Sequence, residues 1–385
     1  MNRYAIVEAP SMLGTSPQFG GVRHSPEALL RLGLAEKIGA RRACRVESPG
    51  YVPGRDPQTQ VTNARGLREY ALILADAVGD VLGRGEFAVV LGGDCSILLG
   101  SLLGAARRGR HGIVFIDGHI DFYPPENNQW NGVGAASELA FASGRGPALL
   151  TDLGIGRSLV RDDDIAAVGF RDQANQAKYG RYLPAVTPAF SRQDVRNIGA
   201  ATVARRVVEH MTRADGPVGY FIHVDADVVD GKLMPAVDDP SPDGFQWEEL
   251  ITILRAVSHA ERAVGMELTI YDPTSDPVRS TVRQIADGHI LGQGGEPRKT
   301  GRGHSRRLRH PAGNRLRIAE PRNPLDRQAE QDVAGRTISE LAGRESRCLE
   351  DQRQKRFRTI EPRDVEPGKR QFRIVVDVVA DPRAM

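Results

Sequence analysis

Side chains that can bind metal ions or move protons stand at three places where a short apolar run of the chain ends. "VVLGGDCS" ends in an aspartate and a cysteine, "VFIDGHIDF" places an acid, a histidine and an acid at alternate positions, and "YFIHVDADVVDG" carries three aspartates. The side chains of interest are Cys95, Asp117, His119, Asp121, Asp225 and Asp227. Carboxylates this close to an apolar core repel one another and are costly to desolvate, so divalent cations would supply the compensating charge.

Each group has a simpler interpretation when it is taken alone. An aspartate-rich loop is often only a capped turn, and an isolated Cys95 would be a small buried apolar side chain. All three groups together, each at the end of a strand, favour a metal site, because interacting ionisable groups cluster at functional sites.

Short apolar runs alternate with amphipathic helical patterns along the first part of the chain. The runs include "YAIV", "FAVVLGG", "GIVFID", "VGYFIHVD" and "RAVGMELTIYD", and the helical patterns include "SILLGSLLGAARR" and "WEELITILRAVSHA". Strands that are each followed by a helix predict crossover connections and a mostly parallel sheet covered on both faces. We therefore expect an α/β, three-layer αβα fold whose site lies at the carboxyl ends of the strands.

The composition of the 385-residue chain changes near residue 290. Residues 1–290 predict one domain, whereas residues 291–385 are basic, rich in Arg, Gly and Pro, and poor in apolar periodicity. Such a segment buries too little surface to offset the entropy lost on ordering, so we expect a disordered extension.

Composition also narrows the class of protein. The 3 cysteines are widely spaced, which argues against a disulfide framework and favours a cytoplasmic protein. No apolar stretch is long enough to cross a membrane. The formal net charge is +3, and its basic excess lies in the extension, so we expect no specific nucleic-acid partner.

Four motifs within residues 1–290 resemble those of the ureohydrolase superfamily, which includes arginase, agmatinase and formimidoylglutamase. "GGDCS" stands where that family usually has Gly-Gly-Asp-His-Ser, and "DGHID" stands for Asp-Ala-His-x-Asp. "HVDADVVDG" corresponds to the family's third aspartate motif, and "GMELTIYDP" to the strand that carries a substrate-binding glutamate.

The resemblance implies two divalent cations and hydrolysis of a C–N bond in a small guanidino compound, with release of urea and an amine. Asp117 and Asp225 would bridge the ions, Cys95 and Asp121 would complete one ion, and His119 and Asp227 the other. We expect Mn²⁺. Asp121 would also orient the attacking hydroxide, and Glu267 would hold the guanidinium group. The resemblance further implies a homo-oligomer.

The sequence departs from the family pattern at three positions. Cys95 replaces a histidine, and its softer thiolate would let Zn²⁺, Co²⁺ or Fe²⁺ compete with Mn²⁺. Ala135 stands where a proton-shuttling histidine is expected, which leaves His24 and His223 as candidate replacements. Ala174 replaces an aspartate that binds an α-amino group, so free arginine is a less expected substrate.

Two alternatives stay open. The same centre could cleave another linear amide or formimino group, or the chain could be a non-catalytic, ligand-binding homologue. Asn127 and Asn128 follow the second motif and are candidate substrate-binding residues, although ordinary turn residues would look the same.

A truncated chain tests the domain boundary. Because the extension lacks a core of its own, a chain that ends near Gly292 should remain folded and should bind metal as the full chain does. Circular dichroism and metal analysis of both chains measure this, and loss of metal binding by a soluble truncated chain would contradict the boundary.

Overall fold

The computed structural model describes residues 4–123 and 132–276. Within these ranges the strands form one eight-stranded sheet in the order β2-β1-β3-β8-β7-β4-β5-β6, and all neighbouring strands are parallel. The strands are β1 (Tyr4–Ala9), β2 (Arg41–Arg45), β3 (Phe87–Gly92), β4 (His111–Ile116), β5 (Ile165–Val168), β6 (Ala189–Phe190), β7 (Gly219–Asp225) and β8 (Ala263–Thr269).

Helices connect the strands and cover both faces of the sheet. They are α1 (Ser25–Arg31), α2 (Leu34–Lys37), α3 (Ala64–Gly83), α4 (Leu98–Ala106), α5 (Glu138–Ala142), α6 (Ala148–Thr151), α7 (Gln173–Lys178), α8 (Arg192–Ile198), α9 (Ala200–Met211) and α10 (Trp247–His259). The predicted α/β, three-layer fold with a parallel sheet is therefore confirmed.

Two apolar clusters lie on opposite sides of the sheet. Leu74 of α3 and Leu102 of α4 belong to the cluster on one face, and Ile253 of α10 belongs to the other. Strands β3, β4 and β7 are buried along their whole length, which explains why they read as continuous apolar runs rather than as alternating patterns. Among the described residues, no helix has the length and apolar character needed to span a membrane.

Some sequence predictions fall outside the described residues. Asn127 and Asn128 lie between the two described ranges, and the boundary near residue 290 and the extension beyond it lie after them.

The turn after β3 depends on a glycine. Gly93 packs so closely against the first loop that an added Cβ would lie 1.8 Å from the carbonyl oxygen of Ser11. The next residue, Asp94, accepts hydrogen bonds from the Ser11 hydroxyl at 2.8 Å and from the backbone N–H of Ser96 at 3.0 Å. Asp94 therefore caps the short 3₁₀ turn Cys95–Ile97 and fixes the position of Cys95.

A Gly93→Ala substitution tests this close approach. The backbone must move to admit the methyl group, so we expect a loss of at least about 1–3 kcal/mol in the free energy of unfolding, together with weaker metal binding. Urea denaturation measures the first effect. Gly50→Ala is the matched control, since nothing lies within 4 Å of its added Cβ; equal stability of the two variants would contradict the account.

Candidate metal centre

The parallel register of the sheet brings the acid-bearing strand ends together. Ile116 of β4 pairs with Val224 of β7, so the residues that follow, Asp117 and Asp225, lie side by side at the carboxyl edge. Both carboxylates are buried. Adjacent parallel strands ending in acids therefore create a shared negative site at this edge.

Cys95 reaches the same place from the end of β3. Its side chain is buried, and its thiol donates to Asp225 Oδ2 with an S···O distance of 2.7 Å. Burial raises the pKa of the Cys95 thiol well above its usual range, and the Asp225 carboxylate raises it further. A thiol in this setting loses its proton only when a cation replaces that proton.

A second group of ligand atoms forms around His119. Its Nδ1 lies 3.0 Å from Asp227 Oδ2 and 3.6 Å from Asp117 Oδ1. Its other nitrogen, Nε2, lies 3.1 Å from Asp239 Oδ2, and the hydrogen bond from His119 lowers the pKa of Asp239 to about 2. A carboxylate behind a metal-binding imidazole fixes the orientation of the ring.

Asp121 lies beside these ligand residues. We call the group that they form together the floor of the site: Cys95, Asp117, His119, Asp121, Asp225 and Asp227. Asp121 is buried and adopts a left-handed backbone conformation with φ of 43°, which is uncommon for a residue with a side chain. Burial raises its pKa well above the usual range, and the neighbouring carboxylates Glu138 and Asp117 raise it further. Asp230 lies apart from this floor and holds its own loop by accepting from the backbone N–H groups of Lys232 and Asp243.

Buried ligand atoms that have no hydrogen-bond partner provide a test of whether metal ions fit here. These atoms are Asp117 Oδ2, both carboxylate oxygens of Glu138, and His223 Nε2. Two sets of potential ligand atoms lie within 4.8 Å of one another, namely Cys95, Asp117, Glu138 and His223 in one set and Asp117, His119 and Asp227 in the other. Thiolate, imidazole and carboxylate groups are all metal ligands, and Asp117 is common to both sets. The residues present thus fit a pair of divalent cations.

Four of the six predicted ligands belong to these two sets, namely Cys95, Asp117, His119 and Asp227. Asp121 and Asp225 belong to neither set and line the cavity beside them. Glu267 lies elsewhere. Glu267 is fully buried, its Oε1 lies 2.7 Å from Nδ1 of His223, and it does not line the cavity above the site. The two residues are paired in register on β8 and β7, so the carboxylate of Glu267 contacts the imidazole of His223. Ile270 lines the cavity at the end of β8 instead.

The predicted replacements for the proton-shuttling histidine do not line the cavity either. Ala135 is on the cavity wall, as the sequence alignment implied. His24 is exposed and accepts a hydrogen bond from Arg23. His223 is completely buried behind the floor.

Sequence reasoning missed Glu138 altogether. It begins α5, whose residues "ELAFA" are all buried. A single acid at the start of an otherwise apolar buried helix was the available signal, because an ionised carboxylate is rarely buried without a partner.

A cavity of about 660 Å³ opens above the floor. Its acidic lining consists of Asp121, Asp172, Asp225, Asp227, Asp238, Asp239 and Asp243, whereas its basic lining consists of His119 and Arg171. Burial raises the pKa of Asp172 to about 6. Burial and the nearby Asp227 raise the pKa of Asp238 to about 7. The excess of acids favours cationic ligands.

Comparisons with known proteins agree with this fold. The arginase family model matches residues 2–288. Arginase of Brevibacillus brevis is 25% identical over 285 residues, which cover 72% of this chain and 93% of that protein. The solved structure of Bacillus caldovelox arginase has a TM-score of 0.67 at 22% identity and covers 76% of this chain and 99% of that one. Proclavaminate amidino hydrolase of Streptomyces clavuligerus has a TM-score of 0.55 at 18% identity, covering 76% and 91%.

The family model spans most of this chain. The chain therefore belongs to the arginase family, and the resemblance to the ureohydrolase superfamily is confirmed.

Substitutions of Cys95 test its assignment as a ligand. Cys95→Ser removes the thiolate, so metal content should fall to about one ion per chain, with the ion at His119 retained. Cys95→His should restore the second ion and shift preference toward Mn²⁺, because imidazole is harder than thiolate. Metal content after dialysis measures both effects.

Cys44→Ser is the matched control, since Cys44 lies on the edge strand β2. If Cys95→Ser kept two ions with unchanged affinity, Cys95 would be a packing residue only.

Proposed function

We propose that this protein is a metal-dependent hydrolase that cleaves a C–N bond of a small guanidino compound and releases urea and an amine. The observation that carries the proposal is the acid-lined cavity directly above two sets of converging ligand atoms. Two of the similar proteins are named arginase and proclavaminate amidino hydrolase. These names indicate hydrolysis of arginine and of an amidino group, which supports a guanidino substrate here.

The centre would hold two divalent cations. The proposed ligands are Cys95, Asp117, His119, Asp121, Asp225 and Asp227, with Asp117 and Asp225 shared. We propose Mn²⁺ as the native metal, with Zn²⁺, Co²⁺ or Fe²⁺ as competitors at the Cys95 side. When bound, such a pair supplies Lewis-acid activation of water at neutral pH.

The cavity residues would bind and orient the substrate. The carboxylates of Asp172 and Asp238 face the cavity and match the planar donor fork of a guanidinium group. Asp121 lines the floor beside the ligand atoms, where its carboxylate can orient water and accept a proton. Glu267 lies behind the floor, where it would orient the ring of His223 and would not contact the substrate.

The residues around the cavity would determine which guanidino substrate binds. Ala174 supplies no carboxylate for an α-amino group, so we propose a guanidino compound without an α-amino acid head. Asn127 and Asn128 stay candidate contacts at the entrance. By resemblance to the family, we also propose a cytoplasmic homo-oligomer.

An assay of metal-loaded protein against agmatine, guanidinoacetate and arginine tests the proposal. We expect urea from at least one guanidino substrate, loss of activity after chelation, and recovery on adding Mn²⁺ or Co²⁺. Asp227→Asn should lower urea formation at least about 100-fold, because it removes a proposed metal ligand and even outer-shell changes cost about 10- to 100-fold.

The other outcomes separate the alternatives. Two bound ions without urea, but with cleavage of an amide or formimino compound, would replace the proposed substrate class. A folded chain that binds no metal would contradict the enzymatic function.

A further inference from the structure

We propose that Glu138 and His223 are additional metal ligands, and that the ion on the Cys95 side is held by Cys95, Asp117, Glu138 and His223. This inference rests on the proposed metal centre. At this one ion, Glu138 and His223 take the places that the motifs give to Asp121 and Asp225, neither of which belongs to the set. The sequence motifs assign neither Glu138 nor His223 as a ligand. The four ligand atoms lie within 4.8 Å of one another, and all four residues are buried.

His223 is prepared to bind a cation through Nε2. The ring lies on β7 two residues before Asp225, on the same side of the strand. Its Nδ1 lies 2.7 Å from Glu267 Oε1, whereas Nε2 has no hydrogen-bond partner and lies 3.7 Å from Asp117 Oδ2. Burial lowers the pKa of His223, but the carboxylates of Asp117 and Glu267 outweigh this effect and raise that pKa to about 10. A cation at Nε2 would displace the proton there while Nδ1–H still donates to Glu267, which is the usual carboxylate–histidine–metal arrangement.

Packing also fixes the plane of this ring. His223 stacks on Phe115 of β4 with a centroid distance of 4.6 Å and an interplanar angle of 8°. The imidazole is therefore held in one orientation before any ion binds, with Nε2 facing the carboxylate of Asp117.

Glu138 brings to the site a buried carboxyl group that lies beside that of Asp121, and the two can hydrogen-bond only if one of them holds a proton. The Glu138 side chain is completely buried, and when both groups are ionised neither of its oxygens has a hydrogen-bond donor. An ionised carboxylate buried in this way is strongly unfavourable unless it pairs with a cation or binds a metal. No basic side chain shares its set of ligand atoms apart from the imidazole of His223.

Neither residue lines the cavity. They approach the floor from the protein interior, so they cannot contact a substrate in the cavity but can contact an ion in the floor. This position distinguishes a ligand role from a role in binding substrate.

The donor set has a consequence for metal choice. The motif position that usually supplies an imidazole holds Cys95, and His223 supplies an imidazole from β7. One thiolate, one imidazole and two carboxylates suit Zn²⁺ or Co²⁺ better than Mn²⁺, whereas the ligand set of His119 contains no sulfur.

Glu138→Gln and His223→Gln variants test the inference in the full chain. The wild type should bind two Co²⁺ ions, and each variant should bind the thiolate-contacting ion at least about 100-fold more weakly, because changes even to outer-shell partners of ligands cost about 10- to 100-fold. The sulfur-to-cobalt absorption band should weaken at limiting Co²⁺. Glu267→Gln should produce a loss of about 10- to 100-fold, since it only orients His223.

A second measurement separates ligand loss from misfolding. Glu138→Gln keeps the shape of the side chain and removes its ability to ionise in the buried site, so the metal-free variant should resist urea at least as well as the metal-free wild type. Glu249→Gln is the matched control, because Glu249 belongs to the capping box of α10 and pairs with Arg192. The Glu249→Gln variant should bind metal with the affinity of the wild type.

The outcomes distinguish this inference from the proposed function. If Glu138→Gln and His223→Gln bound two ions with wild-type affinity and an unchanged cobalt spectrum, the inference would be wrong while the proposed hydrolase could still release urea. If the wild-type chain bound no cobalt, both would be wrong.

Discussion

Repulsion between acids that are buried together at one edge of the sheet is the constraint that the site must satisfy. Asp117, Asp121, Glu138, Asp225 and Asp227 are each at most 6% exposed, and the effective cost of burying an ion in a protein is several kcal/mol. Protons can neutralise part of this charge, as the raised pKa values of Cys95, Asp121 and Glu138 indicate. Divalent cations neutralise it while leaving the carboxylates ionised, and this is the condition under which the site can do chemistry.

The parallel sheet brings these acidic side chains to the same edge. Neighbouring strands run in the same direction, so the residues after β3, β4 and β7 emerge at one edge. Gly93 and Asp94 hold the turn that directs Cys95 toward Asp225, and the register of β7 with β8 places Glu267 against His223. Local backbone constraints and sheet register together set the donor atoms of the floor, and the remaining acids of the cavity wall set the preference for a cationic ligand.

Sequence predicted the parts of the site that depend on strand ends. Asp117, His119 and Asp225 follow apolar runs that could only be buried strands, so their convergence followed from a parallel sheet. The motif predicts a substrate-binding role for Glu267 because a motif gives only a position along a strand, whereas the partner of a side chain depends on the adjacent strand, here His223 of β7. Glu138 was missed because α5 approaches the floor through tertiary packing, for which a short helix of buried residues gives no periodic signal.

Anomalous X-ray scattering from crystals of metal-loaded protein tests the central claim most directly. The account predicts two metal peaks at the carboxyl edge of the sheet, about 3.5–4 Å apart, with Asp117 in contact with both and Cys95 in contact with one. Absence of metal at this edge, or a single ion that does not contact Asp117, would contradict it.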